Sequence, residues 1–409
     1  MRQPTGRTAR ALSLALGLTA ALAGCQDSVV DLGTVDDEEL DNPEAVAPLV
    51  AGMGRTLSGA VGLLSQTGVI ASRELVHGGT GEEFGATLSQ AAGELTPVDS
   101  DRHWNASHQA RWTAEDGVRR MRAILGEEEF ARSRLAVEAL LYVGFSNRLL
   151  GENMCEAIID GGPTGPRTIH FQRAVDAFTE ALAIADRLGD AELATAARAG
   201  RASAKVGLGD WSGARSDAEA VPAGFVFHAR FDNTEQDRYN RVAWGSTVDE
   251  RAHTTWGTFY QTYFEETGDP RVPWESDPGN PETFNGLPWL FQAKFDGRGA
   301  PIDLVAWEEM RLIVAEAALR NGDVEGATAE IDGLRAAAGV DPWPVDDLES
   351  AWTALKRERG IELWLEARRL WDLHRWIEEG IPGDGEDMTG RDTCFPIGAI
   401  ERGTNPNVP

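Results

Sequence analysis

The chain has 409 residues, with 66 acidic against 38 basic side chains and a formal charge of −28. Such an excess of acid excludes the basic face that a nucleic-acid-binding protein needs to neutralise phosphates. Only three lysines occur, Lys205, Lys294 and Lys356, so nearly all cations are arginines.

Arg2, Arg7 and Arg10 precede the apolar run ALSLALGLTAALAG, and Cys25 follows it. A basic start, a short apolar stretch and small residues before a cut predict a secretory signal peptide over 1–24. The run is shorter than the roughly 20 residues of a spanning helix, and no later segment reads as an uninterrupted apolar span. Leu22-Ala23-Gly24-Cys25 resembles a bacterial lipobox, which implies a diacylated Cys25 carrying palmitate-type chains. Gln26 after it favours the outer membrane. The alternative is an ordinary secreted chain with a chance cysteine. Removing the three arginines with the leader takes the formal charge from −28 to −31, which suits a soluble body held off an anionic surface.

Residues 25–40 form an acidic tether, and 41–409 a single body. Within the tether, DDEEL lacks the Asp–Gly spacing of a calcium loop. Asp41-Asn42-Pro43-Glu44 predicts a helix start, with a polar cap, a first-turn proline and an acid at the positive dipole end. That helix should run to about Leu64. Segment 67–116 reads as mixed short helices and loops. Helices then follow near 115–125, 127–151, 168–188, 191–208 and 211–220. Gly-containing joints at LLGENM, GLGDWSGA and LRNGDVEGA separate helices carrying alanine, the pattern of tetratricopeptide-like hairpins, although no fixed 34-residue period runs through. Residues 222–302 interrupt the helices with Trp244, Trp256, Trp274 and Trp289 among many Gly, Pro and Asp. So long an irregular insertion usually carries function. Helices resume at 304–321, 324–338, 345–356 and on through Trp376, before a loop tail over 377–409. The fold class is therefore mainly α, helical hairpins around a long loop-rich insertion.

The stretch ERGIELWLEARRLWDLHRW, Glu358 to Trp376, is the densest in charge and tryptophan. On a helical wheel, Glu358, Glu362, Glu366 and Asp372 fall within about one third of the circumference, with apolar residues on all sides. Buried charges need partners. Arg369 lies in the acidic arc and Arg311, on the preceding hairpin, is the nearest second cation. The expectation is a buried network joining Arg311 and Arg369 to these four carboxylates. Acids spaced i, i+4 point side by side into packing, not across a cleft, so no catalytic residue is assigned. With Cys25 acylated, Cys155 and Cys394 in an oxidising compartment form either one disulfide or two separate thiols. His103 and His108 lack a third ligand, so no metal is assigned. Asn105-Ala106-Ser107 fits a glycosylation pattern, which a bacterial chain has no use for.

The same stretch resembles the C-terminal signature of the SusD/RagB family of outer-membrane nutrient-binding lipoproteins. Glu358, Arg359, Glu362, Leu363, Glu366, Arg369, Asp372, Leu373, Arg375 and Trp376 occupy matching positions, as do WEEMRLIVAEAALRNGDVEGATAEIDGLRAAAGV upstream and CFPIGAIERGTNPNVP, with Glu401, downstream. DDEELDNPEAVAPLVAGMGRTL resembles the family's first helix. Ala367 departs from the pattern, standing where the family usually has glycine, which argues for slightly looser packing. The chain is also short for the family.

The resemblance implies four tetratricopeptide-like hairpins capping a SusC-like TonB-dependent transporter at the outer membrane and facing the exterior. It implies a protein that binds oligosaccharide or peptide, without catalysis or cofactor. The family's ligand face maps onto loops that here contain Trp104, Asn105, Trp256 and Tyr260, and aromatic faces with polar neighbours suit sugar rings. The alternative is a tetratricopeptide-like scaffold lipoprotein of the cell envelope.

Overall fold

The computed structural model describes residues 40–79 and 86–408; the leader, Cys25 and most of the acidic tether lie outside them. Asn42 accepts a hydrogen bond from the Ala45 amide and caps a single 3-10 turn, Pro43–Ala45, that leads into α1 (Val46–Ala71). Pro43–Ala71 is long and apolar enough to cross a membrane by length and composition alone, which the sequence reading had not allowed. Half of that window is buried inside the body, where Met53, Leu57, Leu64 and Ile70 join the main core. It is the central helix of this fold.

A two-residue strand β1 (Val76–His77) and the short α2 (Leu88–Ala92) precede α3 (Pro97–Phe130). The long α3 replaces the mixed loops expected over 67–116. Thr96 caps it, Pro97 occupies its first turn and Asp99 sits at the positive end. Its low hydrophobicity hid it: the face against α1 is made of Ser100, His103, Ser107, Ala110 and Ala114. Gly126 breaks the helical path at φ +73, where the sequence put a joint.

α4 (Arg134–Asn153), the small β2–β3 hairpin (Glu156–Ala157 and Gly165–Pro166), α5 (Thr168–Leu188), α6 (Ala191–Val206) and α7 (Trp211–Glu219) complete the first half. Each helix packs chiefly on its neighbours in sequence. Phe178 of α5 shows why the joints and faces need small residues. Its ring lies where a Cβ on Gly144 of α4 or on Gly200 of α6 would come within 2.5 Å. One turn pair earlier, Phe171 meets Gly151 and Gly207 in the same way. Two aromatic wedges on one helix thus set the spacing of three helices.

The insertion holds β4 (Val226–Ala229), α8 (Arg241–Gly245), β5 (His253–Thr254), α9 (Phe259–Thr267), β6 (Trp274–Ser276), β7 (Leu290–Gln292) and β8 (Ile302–Ala306). The antiparallel pair β1–β5 pins it to the body, and β4–β8 and β6–β7 close its own loops. α10 (Trp307–Arg320) and α11 (Val324–Ala338) form the next hairpin, followed by α12 (Leu348–Glu362), α13 (Arg369–Glu378) and α14 (Ala399–Thr404). Residues from Asp41 onward make one compact unit.

The signature stretch is not one helix. α12 ends at Glu362 and α13 begins at Arg369, across a buried turn in which Leu365 and Ala367 have φ of +68° and +61°. Polar side chains from α1 and the turn that follows it satisfy the Leu365 backbone. Glu74 accepts the Leu365 amide at 2.7 Å, and the Ser65 hydroxyl donates to the Leu365 carbonyl at 2.7 Å. Glycine's usual place at Ala367 follows from that left-handed backbone. The departure therefore strains the backbone and does not loosen packing, because Ala367 is buried.

Candidate functional site

The turn rotates the two halves of the signature relative to each other, so the wheel misassigned the cations. Every expected carboxylate is paired, but by other partners. Glu358 accepts from Arg271 at 2.6 Å, Arg335 at 2.9 Å and the Trp343 indole at 2.8 Å. Glu362 also pairs with Arg271, and Glu366 pairs with Lys294 at 2.7 Å. Asp372 is held by Arg359 and Arg375, each at 2.9 Å. Arg369 turns away to Glu386 and to the Lys356 carbonyl. Arg311 lies outside the network: its ion-pair partner is Glu330, at 3.5 Å. A further buried pair, Arg368 with Glu309 at 2.6 Å, joins α10 to the turn, with the Ser203 hydroxyl between them.

Arg271 and Lys294 were missed because they stand in the insertion, where no periodicity marks a residue as inward-facing. The one available signal for Lys294 was its rarity. Through them the insertion is bolted to the signature by charge-assisted hydrogen bonds.

Two of the signature carboxylates face space. Glu362 and Glu366, with Arg271, Lys294, Glu308 and Trp307, line a cleft of about 620 Å³ between the insertion and α10–α12. Burial pushes Glu362 up to about 7 and Glu366 up to about 8, against the pull of Arg271 and Lys294 respectively. Each carboxylate is engaged by its cation, so neither is a free acid–base group.

The expected ligand residues fall into two sets. Trp104 is buried against the His108 ring, 4.3 Å between centroids, and Tyr260 is fully buried, stacked on Trp364 at 5.6 Å. Both are core residues. Packing takes up most of their hydrophobic area, so neither presents an open ring face, although Trp104 also borders a small groove on α3. Asn105 is exposed on α3. Trp256 is 43% exposed on the loop between β5 and α9. Also exposed in the insertion is a residue not singled out from sequence, Phe284, at 47%, with the Arg251 guanidinium 4.3 Å over its ring.

These two rings stand on loops laced to one small platform. Asn285 donates from its backbone to the Gly78 carbonyl and from its side chain to the His77 carbonyl, both at 3.0 Å. Thr254 donates to the Pro288 carbonyl at 2.7 Å, and the Thr255 amide to the Leu290 carbonyl at 2.8 Å. Trp256 donates its amide to the Thr254 hydroxyl at 3.1 Å. Exposed aromatic faces held by rigid backbone, with Arg251 and loop amides nearby, can stack on flat apolar faces of a ligand and bond its hydroxyls.

His103 is occupied internally, its ring nitrogens 2.7 Å from the Thr67 hydroxyl and 3.2 Å from the Asp99 carbonyl. Burial keeps it neutral, down to about 3. Cys155 and Cys394 are joined in a disulfide, beside a backbone pair in which Cys155 and Phe395 donate to the Phe395 and Asn153 carbonyls.

Comparison with known proteins agrees with this architecture. Residues 307–403 match the model of the SusD family. No curated protein matches the chain. Among solved structures, a SusD-like carbohydrate-binding protein from Bacteroides vulgatus is similar at 16% identity and a TM-score of 0.65, covering 89% of this chain and 97% of that one. A SusD-like protein from Bacteroides fragilis reaches a TM-score of 0.70 at 12% identity, covering 92% and 98%. A laminarin-binding SusD-like protein has a TM-score of 0.59 at 15% identity, covering 90% and 98%. The chain thus has the SusD-like fold, and its residues 307–403 carry the sequence pattern of the SusD family.

Proposed function

We propose that this protein is the lipid-anchored glycan-binding component of an outer-membrane importer. It captures oligosaccharide outside the cell and hands it to a SusC-like TonB-dependent transporter, with no chemical step of its own. The observation that carries the reading is the SusD-like fold over about nine tenths of the chain, in which the insertion presents Trp256 and Phe284 to solvent. A relative of the same fold binds laminarin. The lipobox-like residues ending at Cys25 support the anchor, and oligosaccharide is preferred to peptide because flat aromatic surfaces with polar rims suit sugar rings.

The test is affinity electrophoresis of the detergent-solubilised full chain in gels containing laminarin, starch or xylan. Retardation by one of these glucans or xylans, weakened about tenfold by Trp256→Ala, supports the reading. Unchanged mobility in all three sinks it. Gentle solubilisation followed by affinity capture should bring down a large β-barrel partner; capture of periplasmic assemblies instead favours an envelope scaffold.

A further inference from the structure

A second groove lies where the C-terminal segment packs on α3. Trp112, midway along α3, is 56% exposed. A single exposed tryptophan is unremarkable on a protein surface; the groove beside it makes this one informative. That groove, of about 270 Å³, is lined by Trp112 together with His108, Gln109, Arg111, Asp160 and Glu401. It is just below the roughly 300–1,000 Å³ of clefts that take drug-sized ligands, a size suited to one ring.

Its walls come from three remote stretches and are fixed before any ligand arrives. The Cys155–Cys394 disulfide joins the strand leading to Asp160 with the segment leading to Glu401. Asn405 donates to the Gly162 carbonyl at 3.1 Å and Asn407 to the Gly161 carbonyl at 2.8 Å. The closing Asn-Pro-Asn thereby holds the loop that carries Asp160. Asp160 itself sits at φ +51 and accepts from Arg111 at 2.7 Å. Preorganisation of this kind lowers the cost of binding.

The polar groups define the ligand chemistry. Arg111 is already engaged by Glu115 and Asp160, and Glu401 adds a further carboxylate, so the groove is net negative and repels anions. His108 forms one wall, its ring packed 4.3 Å from that of Trp104, which also lines the groove. Gln109 offers both a donor and an acceptor.

We infer that the Trp112 groove is a second carbohydrate-binding site, which stacks one neutral pyranose ring on the indole and bonds its hydroxyls through Gln109, Asp160 and Glu401. It shares no residue with the Trp256 face and does not depend on it. The site would hold a second point of the same polysaccharide, or a second chain, raising avidity without new contacts at the first.

The test uses detergent-solubilised full chain labelled with 5-fluorotryptophan, the Trp112 resonance being assigned by its loss in Trp112→Phe. The probes are laminarihexaose, cellohexaose, maltohexaose, mannohexaose and xylohexaose. A saturable shift of the Trp112 resonance with one of these, retained in Trp256→Ala and absent with an oligogalacturonate of equal length, supports the site. Trp112→Ala should then weaken retardation in a gel of the matching polysaccharide by about five- to tenfold, the scale of one lost ring contact. A shift at Trp256 with none at Trp112 overturns the second site and leaves the proposed function standing. A shift at Trp112 in a protein whose Trp256 never responds has the reverse meaning. Silence at Trp112 with all five probes, or an equal response to the acidic oligosaccharide, overturns the inference.

Discussion

Arg375 grips Glu316 with both terminal guanidinium nitrogens while its Nε and one of those nitrogens also reach Asp372, and all three side chains are buried. The pair ties α13, at the end of the signature, to α10. Burial penalises both charges, yet Glu316 is held below the ordinary carboxylate range by Arg375 and further arginines. Removing one partner leaves an uncompensated buried charge, which costs about 3–5 kcal/mol. Arg375→Met should therefore lower stability by that amount in urea denaturation. Arg311→Met, which loses contacts with Glu330 at 3.5 Å and the Ala218 carbonyl at 3.4 Å and a distant one over the Trp307 ring at 5.9 Å, should cost about 1 kcal/mol or less. Equal losses in the two variants would contradict the assignment of the network.

Ala367 gives a second prediction. Its left-handed backbone costs about 1–2 kcal/mol relative to glycine, whereas losing its buried methyl costs about 0.8 kcal/mol and the added freedom of the unfolded chain about 0.4–1 kcal/mol. Ala367→Gly should then be near neutral, within about 1 kcal/mol of the parent. The same exchange at Ala315, buried in the interior of α10, lacks the relief and should cost about 2 kcal/mol from propensity and burial together. Denaturation midpoints of the two variants decide it, and a loss at Ala367 as large as that at Ala315 would refute the strain.

These two cases show what the sequence makes legible. α5 and α11 fall where they were read, at 168–188 and 324–338, because cap and stop signals coincide with clean amphipathic periods: Asp323 caps one, and Gly189 and Gly339 close both in left-handed conformation. The first half of α3 was missed although Thr96, Pro97 and Asp99 mark its start, because its inner face is small and polar and gives no hydrophobic period; only 115–125 read as helix. The acidic side of the signature was readable, since four carboxylates among apolar residues must be buried and paired. Its cations were not, because Arg271 and Lys294 arrive from a loop, and the turn at Leu365 depends on Glu74 and Ser65, some 300 positions away. Trp104 and Tyr260 illustrate the same limit for the site: composition cannot tell a packed ring from a presented one.

The disulfide closes 239 positions of chain between Cys155 and Cys394. The chain-entropy account puts the contribution of so long a loop at about 5.5 kcal/mol, and removal of a native disulfide typically costs about 2–5 kcal/mol. A Cys155→Ser/Cys394→Ser variant should lose stability on that scale. Because the bridge holds both walls of the Trp112 groove, its fluorotryptophan signal at Trp112 should also broaden or move in the absence of any sugar. Parent-like stability together with a parent-like Trp112 resonance would show that the bridge organises nothing there.

Acidity should act on this protein from both sides. Burial pushes Glu74 and Glu362 to about 7 and Glu366 to about 8. A carboxyl raised above its unfolded value of 4.5 contributes stability that is full below 4.5 and lost as pH rises through 7 to 8. The buried histidines work the other way. Desolvation holds His103, His108 and His253 down to about 3, His170 to about 2 and His374 to about 4. A histidine kept neutral in the fold is destabilising wherever the unfolded chain protonates, so stability falls as pH drops below 6.5. Buried His77 is held down too, so the histidines outweigh the three glutamates below 6.5, and only the glutamates still titrate above it. The melting temperature should therefore peak near pH 6.5 and decline towards pH 8.5 as well as towards pH 4.5. Glu366→Gln, which fixes the neutral form beside Lys294, should flatten the alkaline limb and leave the acid limb in place. A melting temperature that keeps rising from pH 6.5 to 8.5 would mean that Glu366 and Glu362 are fully ionised in the folded protein throughout, with Lys294 and Arg271 overcoming their burial.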